Sequence, residues 1–518
     1  MLLSDCIEFN AIKFPDRPAL IFEDVISSYS TLRSRVRRVA NAIATLAAPG
    51  DRVALLSENR REYIECLYGV PRAGTGLCLL NYRLSDFELQ RIIIDAEPSV
   101  VIVESEHLST IVNIRDAIPF VRTIVVIGGE IPDGMASFDV LMQSVTDDEA
   151  TIEVDETSLA WLIYTSGTTG VPKGVMLSHR NVLAAVTNTM PYWIRRPGNV
   201  LLAPWPMCHV AAQVNPMVHI LGWTVVLMRA YSPLGFLEHV ERYRCTSSTG
   251  APTMLSMLMN HPRFSDFDLS SLRTISYGSS AMPPAVLRRA MTLMPNTGFA
   301  TNFGMTEVAG AVFYFDAPEH VEALLNNPDA LMSVGHQLPL SVTRLVDEDM
   351  NDVAPGEVGE IVVRGPQVTL GYWRNPSANE EAFRGGWFHT GDLARVGADG
   401  YTYIVDRKKD MIITGGLNVY SREVELILST HPSVQEVAVV GVPDETWGES
   451  VVAFIQVRPG TALDSAELIA LCREKLAHYK KPKYVVEISE LPKSPLGKVL
   501  KRELRDRVQS GDVALKNG

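Results

Sequence analysis

Apolar and polar positions follow two alternating rhythms along most of this 518-residue chain. "DRVALLSEN", "GLCLLN" and "SVVIVE" are short apolar runs bounded by polar residues and predict buried strands. Between them, "REYIECLYGVPRAG" and "SDFELQRIIIDA" space their apolar residues as helices do. Strands alternating with helices predict parallel sheet layered by helices. Further on, "TVVLM" predicts a strand, "PLGFLEHVERY" a helix and "CTSSTGAP" a buried turn region. From about Val334 the texture changes: "SVTRLVDEDMNDVAPGEVGEIVVRG" predicts short strands separated by acidic, proline and glycine turns, as in a small barrel or distorted sheet. After "YTYIVDRKKDMIIT", the stretch "SREVELILSTHPSVQEVAVVGV" reads as helix then strand in a new register. The predicted fold class is α/β. A large N-terminal domain over residues 1–406, of layered α/β subdomains plus a small β-rich subdomain, is hinged to a small α+β C-terminal domain over 407–518.

Composition narrows the function more than the fold. With 46% hydrophobic and 21% charged residues the chain is an ordinary globular sequence, too long for one core. A net charge of -13 argues against nucleic acid as a partner. The cysteines Cys6, Cys66, Cys78, Cys208, Cys245 and Cys472 form no CxxC pair, so neither zinc nor a disulfide framework is expected. They fit a reduced, cytoplasmic location. The start, "MLLSDCIEFNAIKFPDRP", lacks the apolar stretch of a signal peptide. From Pro197 to Met228 no residue is charged, but four prolines and several polar side chains interrupt the run. A spanning helix needs roughly 20 predominantly apolar residues, so the run is read as buried strand, loop and helix around a pocket. No transmembrane segment is expected; peripheral membrane contact and a homodimer stay open.

The densest chemistry lies in "YTSGTTGVPKGVMLSH", residues 164–179. Thr165, Ser166, Gly167, Thr168, Thr169 and Gly170 alternate hydroxyls with glycines, and Lys173 follows. Glycines let backbone N–H groups turn toward an anion, hydroxyls add donors and a lysine supplies a point charge. The spacing is not that of the P-loop, which needs its lysine directly after the second glycine. A lone glycine-rich turn is as often a plain surface loop.

The ordered eleven-residue stretch resembles the signature loop of the adenylate-forming superfamily: acyl-CoA synthetases, aryl-CoA ligases, luciferases and peptide-synthetase adenylation domains. "NFGMTE" (302–307), "WFHTGDLA" (387–394), "YIVDRKKDMIITGGLNVYSREVE" (403–425) and "PKSPLGKVLKREL" (492–504) match later motifs in the same order. The resemblance covers nearly the whole chain and is closest to fatty acyl-CoA synthetases. It implies ATP, magnesium and CoA, with the Thr165–Gly170 loop and Lys173 on the β- and γ-phosphates. Glu307 and Thr165 would serve the magnesium ion. Asn302, Phe303, Gly304, Met305 and Thr306 would contact the nucleotide, with Phe303 where the family has tyrosine. Gly278 and Ser279, in "YGSSAMPP", resemble the adenine segment. Asp392 and Arg407 would hold the ribose; without the resemblance, Asp392 is a turn residue and Arg407 part of a solvated basic cluster. Lys498 would bridge the acid and the α-phosphate, while Lys501 and Arg502 read as charges on the following helix. Gly415 and Gly416 would line the CoA path, Lys409 would be the hinge, and His209, in "LLAPWPMCHVAA", would gate the acid's carboxylate end. The family often has Glu and Pro where this chain has Leu417 and Ser421.

The expected reaction joins a small-molecule carboxylic acid to CoA through an acyl adenylate. A carboxylate is unreactive toward a thiol until its oxygen becomes a good leaving group, and its approach to a polyphosphate needs cations to offset like charge. "PMCHVAA" and "YGSSAMPP" resemble fatty acyl-CoA synthetases, so a medium- or long-chain fatty acid is expected, with an aryl acid of hydroxycinnamate or benzoate type as the alternative. An amino-acid adenylation enzyme loading a carrier protein would place an aspartate near His209, and the uncharged run has none. A non-enzymatic protein on this fold would have no use for Lys173, Glu307, Asp392 and Lys498 together.

Overall fold

The computed structural model describes residues 1–149, 152–165, 172–193, 198–279, 282–493, 499–513 and 515. It is a mixed α/β protein with two compact units. The larger is Met1–Val342 with Val363–Phe388, the smaller Thr343–Val362 with His389–Gly518.

Two sheets build the larger unit. In one, strands Gly76–Leu80, Arg52–Leu56, Val100–Glu104 and Thr123–Ile127 run parallel, and every residue of Gly76–Leu80 and Val100–Glu104 is buried. Both faces are covered, which is why these strands read as continuous apolar runs rather than alternating ones. At its other side, Leu159–Thr165 and Lys173–Ser178 pair antiparallel, and Gly371–Tyr372 adds to Lys173–Ser178. The intervening helices form as their spacing predicts: Arg61–Arg72, and Asp86–Ala96 behind a capping box made by Ser85 and Glu88.

The second sheet has nine strands, with Val200–Ala203, Thr224–Leu227, Ser247–Gly250, Thr274–Tyr277 and Gly298–Met305 in its parallel middle. "CTSSTGAP" is therefore not a turn region: Ser247–Gly250 is a central strand. Its polar composition hid it. The Ser248 hydroxyl donates to the carbonyl of Leu202 at 3.0 Å, so the buried hydroxyl is satisfied within the sheet. The uncharged run holds the strand, loop and helix it predicted, as Val200–Ala203, Val214–Ile220 and Thr224–Leu227. Among the described residues no helix is long and apolar enough to cross a membrane.

The β texture after Val334 resolves into a four-stranded sheet of Val342–Val346, Gly359–Arg364, Phe388–Val396 and Thr402–Arg407. The smaller unit continues with a second sheet, in which Val434–Asp444 and Gly448–Val457 form a long hairpin beside helix Ser421–Leu428. All six cysteines are buried and unpaired.

A buried polar cluster ties the N-terminal helix to the uncharged run. His219 is fully buried; its Nδ1 lies 2.6 Å from the Tyr68 hydroxyl and its Nε2 3.3 Å from the Ala19 carbonyl. The carbonyl can only accept, so Nε2 carries the proton and Nδ1 accepts from Tyr68. Asn10 donates to the His219 carbonyl at 2.7 Å. Burial lowers the His219 pKa to about 4. As pH falls below about 6.5 the unfolded chain therefore takes the proton first, and stability is lost between about pH 6.5 and 4. His219→Gln should flatten the pH dependence of urea unfolding in that window by up to about 1.4 kcal/mol per pH unit. Parallel slopes for the two proteins would show that His219 titrates alike folded and unfolded.

Candidate active site

The signature loop spans a hairpin whose two ends are in register. Tyr164 pairs with Gly174 and Thr165 with Lys173, so the loop's first hydroxyl and its lysine start on facing positions. Ser166, Gly167, Thr168, Thr169 and Gly170 lie outside the described residues, as does Lys498. The Lys173 ammonium sits 4.9 Å from the centre of the Tyr372 ring. The Tyr372 hydroxyl in turn donates to Glu307 Oε1 at 3.0 Å. One phenol thus stands between the lysine and the carboxylate. Burial first, and the charge of Glu307 second, push its pKa far above the usual tyrosine value, so it stays a donor. The Thr369 N–H also donates to the Glu307 carbonyl at 2.8 Å, fixing the backbone of the carboxylate's turn.

Tyr372 stands outside the motifs legible in the sequence. The signal available was an aromatic hydroxyl in "LGYW", but only strand pairing brings Gly371–Tyr372 beside Lys173–Ser178.

Gly278 and the "NFGMTE" segment meet because their strands are parallel neighbours. Tyr277 pairs with Thr301, so Gly278–Ser279 and Asn302–Met305 emerge at the same carboxyl end of the sheet, where ligands of open α/β sheets bind. A Cβ on Gly278 would lie 3.0 Å from Asn302 Oδ1, and Asn302 Nδ2 donates to Ser276 at 3.2 Å. Ser279 holds a left-handed backbone at φ 67°, a conformation that clusters at functional sites. The Phe303 ring packs against Phe313 with centroids 6.1 Å apart. Thr306 and Glu307 form a single 3-10 turn, followed by Ala309 at φ 52°.

His209 precedes a turn at Val210–Gln213. Burial, aided by the charge of Arg83, lowers its pKa to about 4, so it is a neutral imidazole at physiological pH. One turn on, the Gln213 amide lies across Gly310, its Nε2 2.7 Å from where a Cβ would be. Gln213 Oε1 is buried and accepts no hydrogen bond among the described residues. Cys208 is buried too, which pushes its thiol up to about 12.

In the smaller unit, Asp392 and Arg407 face each other on paired strands, Arg407 Nε donating to Asp392 Oδ1 at 3.0 Å. The buried Glu360 accepts from the Gly391 N–H at 3.2 Å and lies 3.4 Å from Lys408 and 3.2 Å from His389 Nδ1. Burial lowers the pKa of Lys409. Gly415 and Gly416, at φ 58° and 78°, form the two-residue turn joining Ile412–Thr414 to Leu417–Val419. Positive φ at both positions is what such hairpins require. A Cβ on Gly415 would meet the exposed Trp447 ring at 3.0 Å. Lys501 opens the following helix, Lys501–Gln509, as read, with its amine mostly buried, 2.7 Å from Glu425 and 2.5 Å from the Ser421 hydroxyl. Arg502 fits that reading, in an exposed pair with Asp506.

The donors suit a magnesium nucleotide. Glu307 offers one carboxylate and Thr165 a hydroxyl, hard oxygen ligands of the kind magnesium takes alongside substrate phosphates. Among the described residues no cluster of three or more His, Cys, Asp or Glu could cage a metal alone.

Residues 7–373 match the AMP-binding enzyme family, and residues 423–498 its C-terminal domain. The chain belongs to the AMP-binding enzymes. A feruloyl-CoA synthase of an Amycolatopsis species is 38% identical over 483 residues, covering 93% of this chain and 94% of that protein. A long-chain-fatty-acid–CoA ligase of Escherichia coli O157:H7 is 33% identical over 544 residues, covering 98% and 94%. The solved anthranilate CoA ligase AuaEII, in complex with anthranoyl-AMP, superposes with a TM-score of 0.87 at 27% identity, covering 99% of this chain and 98% of that one. This AMP-binding enzyme is an AMP-forming acid–thiol ligase: it uses ATP to convert a carboxylic acid to an acyl adenylate and passes the acyl group to CoA. ATP and CoA are its cosubstrates, and magnesium is typical of the family.

Gly304 shows how tightly the nucleotide segment is built. A Cβ there would fall 1.7 Å from the Gly310 carbonyl oxygen, which is backbone and cannot swing aside. Gly304→Ala should therefore cost about 2–3 kcal/mol of stability as the two strands separate. Thermal unfolding checks this; a variant as stable as the parent would mean the strands part freely.

Proposed function

We propose that the acid is an aryl acid carrying a hydrogen-bond donor at its far end, of the hydroxycinnamate type. The observation that carries this is Gln213. If the acid lies along the His209–Gln213 segment, its tail ends near an amide whose buried oxygen accepts nothing. A saturated tail would leave that oxygen unsatisfied, at about 1–3 kcal/mol. A phenolic hydroxyl would donate to it. The likeness to a feruloyl-CoA synthase supports the same reading. A medium- or long-chain fatty acid is the second reading, supported by the likeness to the long-chain ligase.

The chemistry would run as follows. Lys173 and the signature loop hold the β- and γ-phosphates, while Gly278, Ser279 and Asn302–Thr306 hold the nucleoside. A magnesium ion, when bound through Glu307 and Thr165, withdraws charge from the phosphates. A carboxylate oxygen of the acid attacks the α-phosphorus, the bond from that phosphorus to the β-phosphate oxygen breaks, and pyrophosphate leaves. His209, neutral, meets the carboxylate end without trapping it as an ion pair. The CoA thiolate then attacks the acyl carbon and AMP departs. Lys498 serves the first step and the Gly415–Gly416 turn the second. Both follow Lys409, so the segment beyond Lys409 turns between steps.

Two outcomes test this reading. The kcat/KM for 4-hydroxycinnamate should exceed that for cinnamate by about tenfold or more, and Gln213→Leu should erase the difference, since a missing partner for a buried polar group costs about 1–3 kcal/mol. A rise of about 0.8 kcal/mol per methylene across fatty acids, with decanoate the best substrate, would favour the second reading instead. Separately, Tyr372→Phe should slow pyrophosphate release about tenfold and raise the magnesium concentration needed, because a hydrogen bond to a charged group contributes about 1.5–3 kcal/mol. An unchanged magnesium dependence would remove Tyr372 from the phosphate machinery.

A further inference from the structure

The turn Lys408–Asp410 is bracketed by ion pairs that do not cross it. Before Lys409, Arg407 pairs with Asp392 at 3.0 Å and Lys408 with Glu360 at 3.4 Å. All four residues precede Lys409 in the chain. After it, Asp410 pairs with Arg505 at 2.9 Å, and both follow Lys409. Rotation about Lys409 would leave these three contacts intact. They hold the chain on either side of Lys409.

Among the described residues three hydrogen bonds involving side chains cross it, beside the backbone bond from the Met411 N–H to the Arg407 carbonyl at 3.0 Å. The Ser421 hydroxyl donates to Asp406 Oδ2 at 2.8 Å, the Arg422 N–H lies 3.4 Å from the same oxygen, and the Arg422 guanidinium donates to the Ile404 carbonyl at 2.9 Å. Asp406 and Ile404 belong to strand Thr402–Arg407; Ser421 and Arg422 open helix Ser421–Leu428. Ser421 is completely buried and also accepts from Lys501, at 2.5 Å. Lys501 begins the helix Lys501–Gln509. A hydroxyl has one proton and two acceptor sites, so it can link the aspartate and the ammonium in one chain. The related motif often has proline where this chain has Ser421, and proline could make neither bond.

We propose that Ser421 is a positioning residue for both half-reactions: its hydroxyl, strung between Asp406 and Lys501, holds the residues beyond Lys409 against strand Thr402–Arg407, and breaking the Ser421–Asp406 bond is part of the turn between steps. The inference rests on the reading that the segment after Lys409 turns. One half-reaction uses the held arrangement and the other the released one. Removing the hydroxyl therefore changes the balance of the two arrangements without touching a reacting atom.

The test is single-turnover kinetics of each half-reaction, pyrophosphate release and acyl transfer from a supplied adenylate, on Ser421→Ala and Lys501→Met. Each should slow one half-reaction and speed the other, so that the ratio of the two rates changes about fivefold or more. A purely structural loss would lower both rates together. Rates that fall in parallel, or that stay as in the parent, would overturn the proposal. Lys409→Pro separates this from the reading beneath it, because proline fixes φ at the pivot. If Lys409→Pro blocks one half-reaction while Ser421→Ala and Lys501→Met change neither, the turn stands and the latch falls. If Lys409→Pro spares both, the turn itself is refuted, and the latch with it.

Discussion

Strand Lys173–Ser178 is the element on which the candidate site depends. It pairs with Leu159–Thr165 on one side and Gly371–Tyr372 on the other. The first pairing closes the signature loop and sets Lys173 opposite Thr165. The second brings Tyr372 under the lysine and, through its hydroxyl, to Glu307. A shift of one residue in either register would turn these side chains to the opposite face of the sheet. Position along a strand, rather than the glycine-rich loop alone, is what assembles cation, phenol and carboxylate.

The same dependence on pairing explains which parts were legible in sequence. Strands buried on both faces and the helices between them announced themselves: Arg52–Leu56, Gly76–Leu80 and Val100–Glu104 are short apolar runs, and Asp86–Ala96 carries its own cap. Ser247–Gly250 did not, because a strand of Ser, Ser, Thr and Gly has the composition of a turn, and only its two parallel neighbours identify it. Among candidate site residues, those in contiguous motifs are proposed from order and spacing. Tyr372 and Gln213 could not be, and Ser421, visible in its motif as a departure from proline, gained its bonding partners only in the fold. Their neighbours lie elsewhere in the sequence: Tyr372 donates to Glu307, the Gln213 amide lies across Gly310 and Ser421 donates to Asp406.

Glycine serves different purposes at three places. At Gly304 the backbone must pass beside Gly310 with no room for a Cβ. At Gly278 it must clear the Asn302 side chain. At Gly415–Gly416 the reason is backbone sign: a two-residue hairpin with positive φ at both positions. The last requirement holds whether or not a thiol passes nearby, so that pair of glycines is explained by the turn before any ligand is considered.

The buried cysteines have a consequence for an enzyme that makes a reactive acyl adenylate. An acyl phosphate anhydride does not distinguish between thiols; it acylates whichever thiolate reaches it first. This chain carries six thiols, one of them beside His209, yet burial raises the pKa of each, that of Cys208 to about 12 and that of Cys472 to about 11. At neutral pH almost none of them is a thiolate. A buried, protonated thiol is a poor nucleophile, so these six are badly placed to compete with CoA for the adenylate.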